Sequence, residues 1–284
     1  MAENPTLAQW QLAQELRRLR GERKFGDVVK AMRTAASSLA RWETPGDGGA
    51  VPGPATLERL LALYGASEEL DRLLELRKQA REPDRWQPYE LERSYRTYAN
   101  IEAQATSIEI YQSQLVPGLA QTEDYARTVI AATQRPDSNL DQEVQVRLTR
   151  QQVLQKPKPP DVWIIISEAA LHQRIGSAHV MVEQIEHLID LAALPHVTLQ
   201  VLPYSAGAHA ALTLASFSIL RVDHHGLVTV YLQGPSSHMF LSSAENIDHY
   251  SDIYNRLRAA ALDAGRPTLS LLKRIAREHS QEKE

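Results

Sequence analysis

The sequence contains no cysteine, and aromatic residues make up only 6% of its 284 residues. The absence of cysteine excludes disulfide bonds, cysteine-ligated zinc, iron–sulfur clusters and thiol catalysis. No apolar run approaches the ~18 residues that a membrane-spanning helix needs, so we predict no membrane segment. The N-terminus also lacks the apolar run of a signal peptide, and we therefore expect a cytoplasmic protein.

Several motifs of catalysis and nucleotide binding are also missing. The sequence has no GxGxxG or GxxxxGKS/T loop for phosphates, no HExxH pair for zinc and no GxSxG elbow for a nucleophilic serine. Ser205 could join Glu168 and His209 in a hydrolase triad only without that elbow. Histidines in predicted loops lack the helical spacing of a metal site: His209, His224, His225 and His238. We therefore predict no enzymatic activity, no metal and no cofactor.

Charge is distributed unevenly along a chain whose net charge is -4. Residues 1–44 hold eight Lys and Arg against five Asp and Glu, which is a net charge of +3. Residues 45–284 hold 23 basic and 30 acidic residues, which is a net charge of −7. A positive segment on a negative chain is typical of a nucleic-acid-binding module fused to another domain. The alternative is ordinary variation of surface charge.

Hydrophobic spacing predicts five short helices in the N-terminal part of the chain. The first ends near Gly21, the second covers about residues 26–32, and the third covers residues 35–42. A loop rich in proline and glycine follows the third helix and separates it from the fourth. Thr56 is expected to cap the fourth helix, and Ser67 is expected to cap the fifth.

The second and third helices and the brief turn between them resemble the helix-turn-helix of lambda-repressor-like, Xre-type domains. The resemblance is carried by residues 32–43, which end in Arg-Trp-Glu, and by the Leu-Leu-Ala-Leu-Tyr-Gly segment at residues 60–65. It implies that the N-terminal part of the third helix enters the major groove of double-stranded DNA and contacts base edges. The residues expected to contact DNA are Lys24, Lys30, Arg33, Ala35, Ala36, Ser37, Ser38 and Arg41.

Within this set, direct readout of bases is expected from Ser37, Ser38 and Arg41, because the two alanines offer only methyl contacts. The other three basic residues are expected to contact phosphates. An arginine cluster on the first helix is expected to add to them: Arg17, Arg18 and Arg20. Related domains usually begin the second helix with a polar Thr-Gln pair, whereas this chain has Lys24-Phe25. The alternative is a degenerate helix-turn-helix that serves as an antitoxin-like or scaffold module for protein interaction.

A charged segment with Pro83 follows the predicted helices, at residues 77–84. We place the domain boundary there, which gives a mainly α helix-turn-helix domain at residues 1–82 and a second domain at residues 83–284. A charged helix that continues into the next domain would show the same composition.

The second domain is predicted to be α+β with a small mixed sheet. Residues 90–112 are expected to form a helix. Residues 162–166 are continuously apolar and residues 197–201 alternate, which predicts two strands joined by a helix in a parallel βαβ unit. A hairpin is predicted within residues 217–231, and residues 239–241 are expected to add an edge strand.

Residues 90–278 resemble the C-terminal domain of WhiJ-like actinobacterial regulators, a domain without an assigned biochemical function that follows an Xre-type helix-turn-helix. The resemblance is carried by Val-Pro-Gly-Leu-Ala-Gln-Thr at residues 116–122 and by Val-Leu-Pro-Tyr-Ser-Ala-Gly-Ala-His at residues 201–209. Ser167 and Gln233 stand where that family often has Asp and Glu. The resemblance implies a transcriptional regulator of development or secondary metabolism that is often paired with a small protein encoded nearby.

A pocket for an unidentified small-molecule effector is a further prediction for the second domain. Aromatic side chains would line it at the end of the sheet, and a few polar groups would orient the ligand. The alternative is that these aromatic residues belong to the core. The candidate ligand-binding residues are Tyr111, Tyr125, Trp163, Glu168, Gln200, Tyr204, His209, Phe217 and Tyr231.

Together these features predict a sequence-specific DNA-binding transcriptional regulator. A single helix-turn-helix reaches few base pairs, so we expect a homodimer that reads two half-sites. The second domain is expected to be a sensor or a dimerisation domain. Its signal, a small molecule or the neighbouring small protein, can act only by binding DNA-competent and DNA-incompetent arrangements unequally.

Overall fold

The computed structural model describes residues 7–44, 49–81, 93–133, 139–223, 226–233 and 238–281 of the chain. The chain divides into two compact units, Met1–Ile101 and Glu102–Glu284. The predicted domain boundary between residues 82 and 83 lies outside the residues that the structure describes.

The described residues of the N-terminal unit begin with the five short helices that the spacing predicts. These are α1 (Leu7–Arg20), α2 (Phe25–Met32), α3 (Ala36–Trp42), α4 (Pro54–Tyr64) and α5 (Leu70–Gln79). Gly21 and Gly65 follow α1 and α4 with φ values of 55° and 71°, a left-handed conformation that glycine adopts without steric cost. The buried core between the helices is almost entirely aliphatic and includes Leu12, Leu16, Val28, Met32, Leu39, Leu57, Leu60, Leu61 and Leu73.

Both helix caps predicted in this unit are wrong. Helix α4 begins at Pro54 with Gly53 as its N-cap, so Thr56 lies within the first turn of the helix. Proline suits that first position because its φ is already helical and its missing N–H has no partner there. Ser67 opens a short 3-10 helix whose N-cap is Ala66, and the Ser67 side chain caps nothing.

The C-terminal unit is built on a mixed sheet with the strand order β3-β2-β1-β4-β5-β6 among the described residues. The strands are β1 (Ser107–Gln112), β2 (Asp161–Ser167), β3 (Val197–Leu202), β4 (Phe217–Val222), β5 (Leu227–Gln233) and β6 (His238–Leu241). Strands β1, β2 and β3 are parallel, and β4, β5 and β6 join the sheet antiparallel. The predicted parallel βαβ pair, the hairpin and the edge strand are confirmed.

The helix predicted over residues 90–112 is wrong in its second half. Helix α6 (Arg93–Gln104) ends before β1, which lies in the middle of the sheet. Ile108 and Ile110 pack on one face of the sheet, whereas Tyr111 packs on the other. Because a central strand is covered on both faces, nearly all its side chains are apolar or paired, and the alternation that marks a strand is hidden.

Helices cover both faces of this sheet. They are α7 (Glu123–Thr133), α8 (Leu140–Gln151), α9 (Glu168–His172), α10 (Ala178–Leu191), α11 (Ala244–Ala260) and α12 (Arg266–Gln281). Residues of α7, α10 and α12 form the core on one face, and α11 packs on the other. In the described part of the chain, no helix combines the length and the apolar character that a membrane crossing requires.

The Val-Pro-Gly-Leu-Ala-Gln-Thr segment at residues 116–122 is an irregular loop held by glutamine side chains. Gln121 Nε2 donates to the Val116 carbonyl at 2.8 Å, and Gln151 Nε2 donates to the carbonyls of Gly118 and Gln121 at 3.0 and 2.7 Å. Gln184 Nε2 donates to the next carbonyl in the loop, at 2.6 Å. Buried backbone carbonyls need such partners, so this sequence is explained by the folding of the loop itself.

Candidate functional site

The first candidate site is the connection from α2 to α3 together with the exposed side of α3. Arg33 follows α2 in the left-handed conformation, with φ 48° and ψ 48°, and its N–H donates to the Lys30 carbonyl at 3.1 Å. The Thr34 N–H donates to the Val29 carbonyl at 3.3 Å, and Ala35 is extended as the N-cap of α3. This closed turn sets the direction in which α3 leaves α2.

The inner side of α3 is fixed to the core of the N-terminal unit. Leu39 is fully buried, and Trp42 is half-buried against the same core, as predicted. Glu43, directly after the helix, is buried as well. Because residues four apart lie on the same side of a helix, anchoring at these positions leaves Ser37 and Arg41 on the outer side.

The structure exposes every predicted DNA contact except Ser38, which is half-buried. The four basic side chains of the set have no carboxylate partner among the residues that the structure describes: Lys24, Lys30, Arg33 and Arg41. A cation that no carboxylate neutralises is available to a phosphate or a base edge.

The predicted contacts form a cluster around the turn, with one outlier. Ser37 and Arg41 are four residues apart on α3 and are therefore neighbours on one helix face. Lys30 and Arg33 lie at the end of α2 that leads into the turn. Lys24 is the N-cap of α2 and lies at the opposite end of that helix.

The predicted arginine cluster on α1 is only partly available for phosphate contacts. Arg20 donates through Nε to both carboxylate oxygens of Glu43, at 2.8 and 3.0 Å, and its Nη1 donates to a backbone carbonyl. Arg18 pairs with Glu15 at 2.8 Å, whereas Arg17 is exposed. Including Arg20 among the phosphate contacts was therefore wrong, because its guanidinium ties α1 to the end of α3.

Sequence reasoning missed Glu43 as a residue that positions the candidate site. The Tyr64 hydroxyl lies 3.5 Å from Glu43 Oε1, and burial together with the Glu43 charge raises the pKa of Tyr64. The signal that was available is the acidic residue directly after Arg41-Trp42, which meets an arginine of α1 in the folded unit.

Arg33→Gly is expected to stabilise the fold and weaken DNA binding at once. A side chain with a Cβ in the left-handed conformation costs about 1 kcal/mol relative to glycine, so the midpoint of urea unfolding should rise. The same change removes a cation from the exposed turn. Arg33→Ala is the matched control, because it removes the same charge without relieving the backbone and should lower DNA affinity with no gain in stability. A fall in stability for the glycine variant would contradict the role of this turn.

The second candidate site, the predicted ligand pocket, has its aromatic residues in separate places. Tyr125 belongs to the core on the α10 and α12 side of the sheet, whereas Tyr111 and Phe217 belong to the core on the α11 side. Tyr204 is 61% exposed, and the ring of Tyr231 packs 5.3 Å from that of a strand β6 residue. The structure therefore does not bring the nine residues together, and their role in ligand binding stays a prediction.

The polar residues of that set are engaged within the fold. Glu168 accepts the Tyr204 N–H at 2.7 Å and a guanidinium N–H of Arg274 at 3.2 Å. Gln200 Oε1 accepts the indole N–H of Trp163 at 2.8 Å, and Gln200 Nε2 donates to a backbone carbonyl at 2.9 Å. His209 Nδ1 accepts a backbone N–H two residues further on, at 3.3 Å.

The described residues also settle parts of the histidine and family patterns. His238 was predicted in a loop but begins strand β6, whereas His224 and His225 lie outside the described residues. Within the described ranges, no group of three or more His, Asp or Glu side chains could hold a metal ion. Ser167, which replaces the Asp of related chains, is the N-cap of α9 and accepts the Ala169 N–H at 3.3 Å.

Two family models match the chain. Residues 11–74 match a helix-turn-helix domain, and residues 95–274 match a domain of unknown function (DUF5753). The chain belongs to the DUF5753 family. In this DUF5753 protein the helix-turn-helix match contains every residue predicted to contact DNA, so the predicted helix-turn-helix is confirmed. No curated protein matches the chain, and no solved structure matches it.

Proposed function

We propose that this DUF5753 protein is a cytoplasmic, sequence-specific DNA-binding transcriptional regulator of the Xre-type, WhiJ-like class and that it is not an enzyme. The observation that carries the proposal is the outer side of α3, which is exposed and bordered by unpaired cations within a helix-turn-helix match.

In the proposed complex, α3 lies in the major groove. Arg41 reads a guanine through two parallel hydrogen bonds, and Ser37 donates to or accepts from a neighbouring base. Ser38 contributes less because it is half-buried. The cations of α2 and the turn, Lys30 and Arg33, contact phosphates and fix the register of α3 without reading sequence.

The C-terminal unit is proposed to dimerise and to receive the regulatory signal. A dimer places two α3 helices on half-sites about 34–36 Å apart, which raises affinity and specificity over a single module. A small-molecule effector or a small partner protein then changes DNA binding only by preferring one arrangement of the two copies.

A gel shift of the full chain on the region upstream of its own gene, repeated across a series of salt concentrations, tests this function. Displacement of counterions from DNA makes the logarithm of the binding constant fall linearly with the logarithm of salt. Lys30→Ala should make that slope shallower by about 0.9 for each half-site, because one phosphate contact is lost.

The matched control is Lys78→Ala, which removes an exposed lysine from α5 of the same unit. Its salt slope should equal that of the unchanged chain. Equal slopes for the Lys30 variant and the control would contradict the proposed docking of α2.

One observation favours the alternative function of a protein-interaction scaffold. Phe25 stands where related domains have a glutamine that reaches phosphate, and it is half-buried with the Arg20 guanidinium 5.9 Å from its ring centre. This position therefore packs inward and offers no amide to DNA. In the scaffold case the full chain shifts no DNA at any salt concentration, so the same experiment separates the two functions.

A further inference from the structure

Helices α10 and α12 pack against one another on one face of the sheet, and the exposed side of each carries charge of one sign. Helix α10 contains no lysine or arginine. The only acid of α12 is Glu278, which pairs with Arg274 at 3.4 Å. The exposed ionisable residues are His179, Glu183, Glu186 and Asp190 on α10, and Arg266, Lys273, Arg274 and Arg277 on α12.

The two helices repeat one spacing with opposite charge. In each helix, half-buried apolar residues stand seven positions apart, and exposed charged residues stand four and eight positions after the first of them. In order, these are Val182, Glu186, Ile189 and Asp190 on α10, and Leu269, Lys273, Ala276 and Arg277 on α12.

The charges of this pattern are largely unpaired within the chain. Glu186, Asp190 and Lys273 have no ion-pair partner among the described residues. Arg277 uses its Nε for the Lys273 carbonyl at 3.1 Å, and no carboxylate of the described residues neutralises it. Exposed charge that is segregated by sign and left unpaired favours a partner with the opposite arrangement.

We propose that a second copy of this chain is that partner, and that two copies pair through α10 and α12 about a two-fold axis. In such an interface a residue i that contacts j on the other copy is matched by j contacting i. The carboxylates of one α10 therefore meet the cations of the partner's α12, and the same contact forms a second time. The half-buried apolar residues make the centre of the interface, and the charges make its rim.

The expected dimer is specific but sensitive to salt. The helices have 14 and 16 residues, which at ~1.5 Å per residue gives a face about 20 Å long. A face of this size is near the lower end of specific protein interfaces, and its charged rim is screened as ionic strength rises. The inference deepens the proposed function, on which its regulatory meaning rests, because it names the surface that brings two copies to two half-sites.

Sedimentation of the full chain without DNA tests the pairing through charge reversal. Glu186→Lys with Asp190→Lys makes one variant, and Lys273→Glu with Arg277→Glu makes the other. Each variant alone places like charges across both contacts, so its dimer dissociation constant should rise about 100-fold or more. An equimolar mixture of the two variants should restore the dimer, because every contact in the mixed pair joins opposite charges.

The control is a double reversal of the exposed Asp252 and Arg256 on α11, which are also four residues apart and should leave the dimer unchanged. Circular dichroism establishes that each variant is folded. A wild-type chain that sediments as a monomer at low salt, variants that still dimerise, or folded variants that stay monomeric on mixing would each overturn the proposal. A chain that dimerises in this way but binds no DNA contradicts the proposed function alone.

Discussion

Replacing Glu102 with alanine is expected to lower the free energy of unfolding of the C-terminal unit by about 3–5 kcal/mol. Both carboxylate oxygens of Glu102 accept from Arg150, through Nε and Nη2, each at 2.7 Å. The two side chains are only 1% and 6% exposed. Without the carboxylate, the Arg150 guanidinium remains buried with its charge uncompensated, which is the costly state for an ion pair in a protein interior.

Urea unfolding followed by circular dichroism measures this loss. The control is Asp141→Ala, which breaks the ion pair with Arg127 between α7 and α8, where Asp141 is 80% exposed. That change should cost less than about 1 kcal/mol, because water and salt screen a surface pair. Combining Glu102→Ala with Arg150→Met should recover part of the loss, since the second change removes the unpaired charge. A cost for Glu102→Ala no larger than that of the control would contradict this account of the pair.

Arg41→Ala is expected to weaken binding to a preferred DNA site by about 1–3 kcal/mol for each half-site, or about 5- to 150-fold. The Arg41 side chain is exposed and unpaired among the described residues, so its loss should leave the fold intact. Only the backbone carbonyl of Arg41 takes part in the fold, by accepting the Ala50 N–H at 2.8 Å.

Competition gel shifts with preferred and unrelated duplexes measure the effect. Arg41→Lys is the informative control, because lysine keeps the charge but cannot form the two parallel hydrogen bonds of arginine. The lysine variant should keep its affinity for unrelated DNA and lose much of its preference. If the alanine variant preferred the same duplex by the same factor as the unchanged chain, Arg41 would not be a reading residue.

Much of the fold can be predicted from the sequence, because burial leaves periodic patterns. The leucines of α1 and α4 recur at helical spacing, and the runs at residues 162–166 and 197–201 mark two buried strands. Strand β1 could not be predicted in the same way. Its position in the centre of the sheet is set by strands more than fifty residues away, and its covered faces leave no alternation to read.

The candidate sites divide along the same line. The exposure of α3 could be predicted because Leu39 and Trp42 mark its inner side, so the outer residues follow from helical geometry. The partners of Arg20 and Glu168 could not be predicted, because each carboxylate–arginine contact joins residues far apart in sequence. Aromatic content alone likewise could not show that Tyr111 and Tyr125 lie on opposite faces of one sheet.

Selection of duplexes from a random pool by the full chain is the most direct test of the central claim, which is sequence-specific DNA binding through α3. The account predicts enrichment of a two-part motif whose halves are about 10 base pairs or a multiple apart. It also predicts that a chain with Ser37→Ala and Arg41→Ala enriches no such motif. A pool that shows no enrichment with the unchanged chain, or the same motif with the double variant, would contradict it.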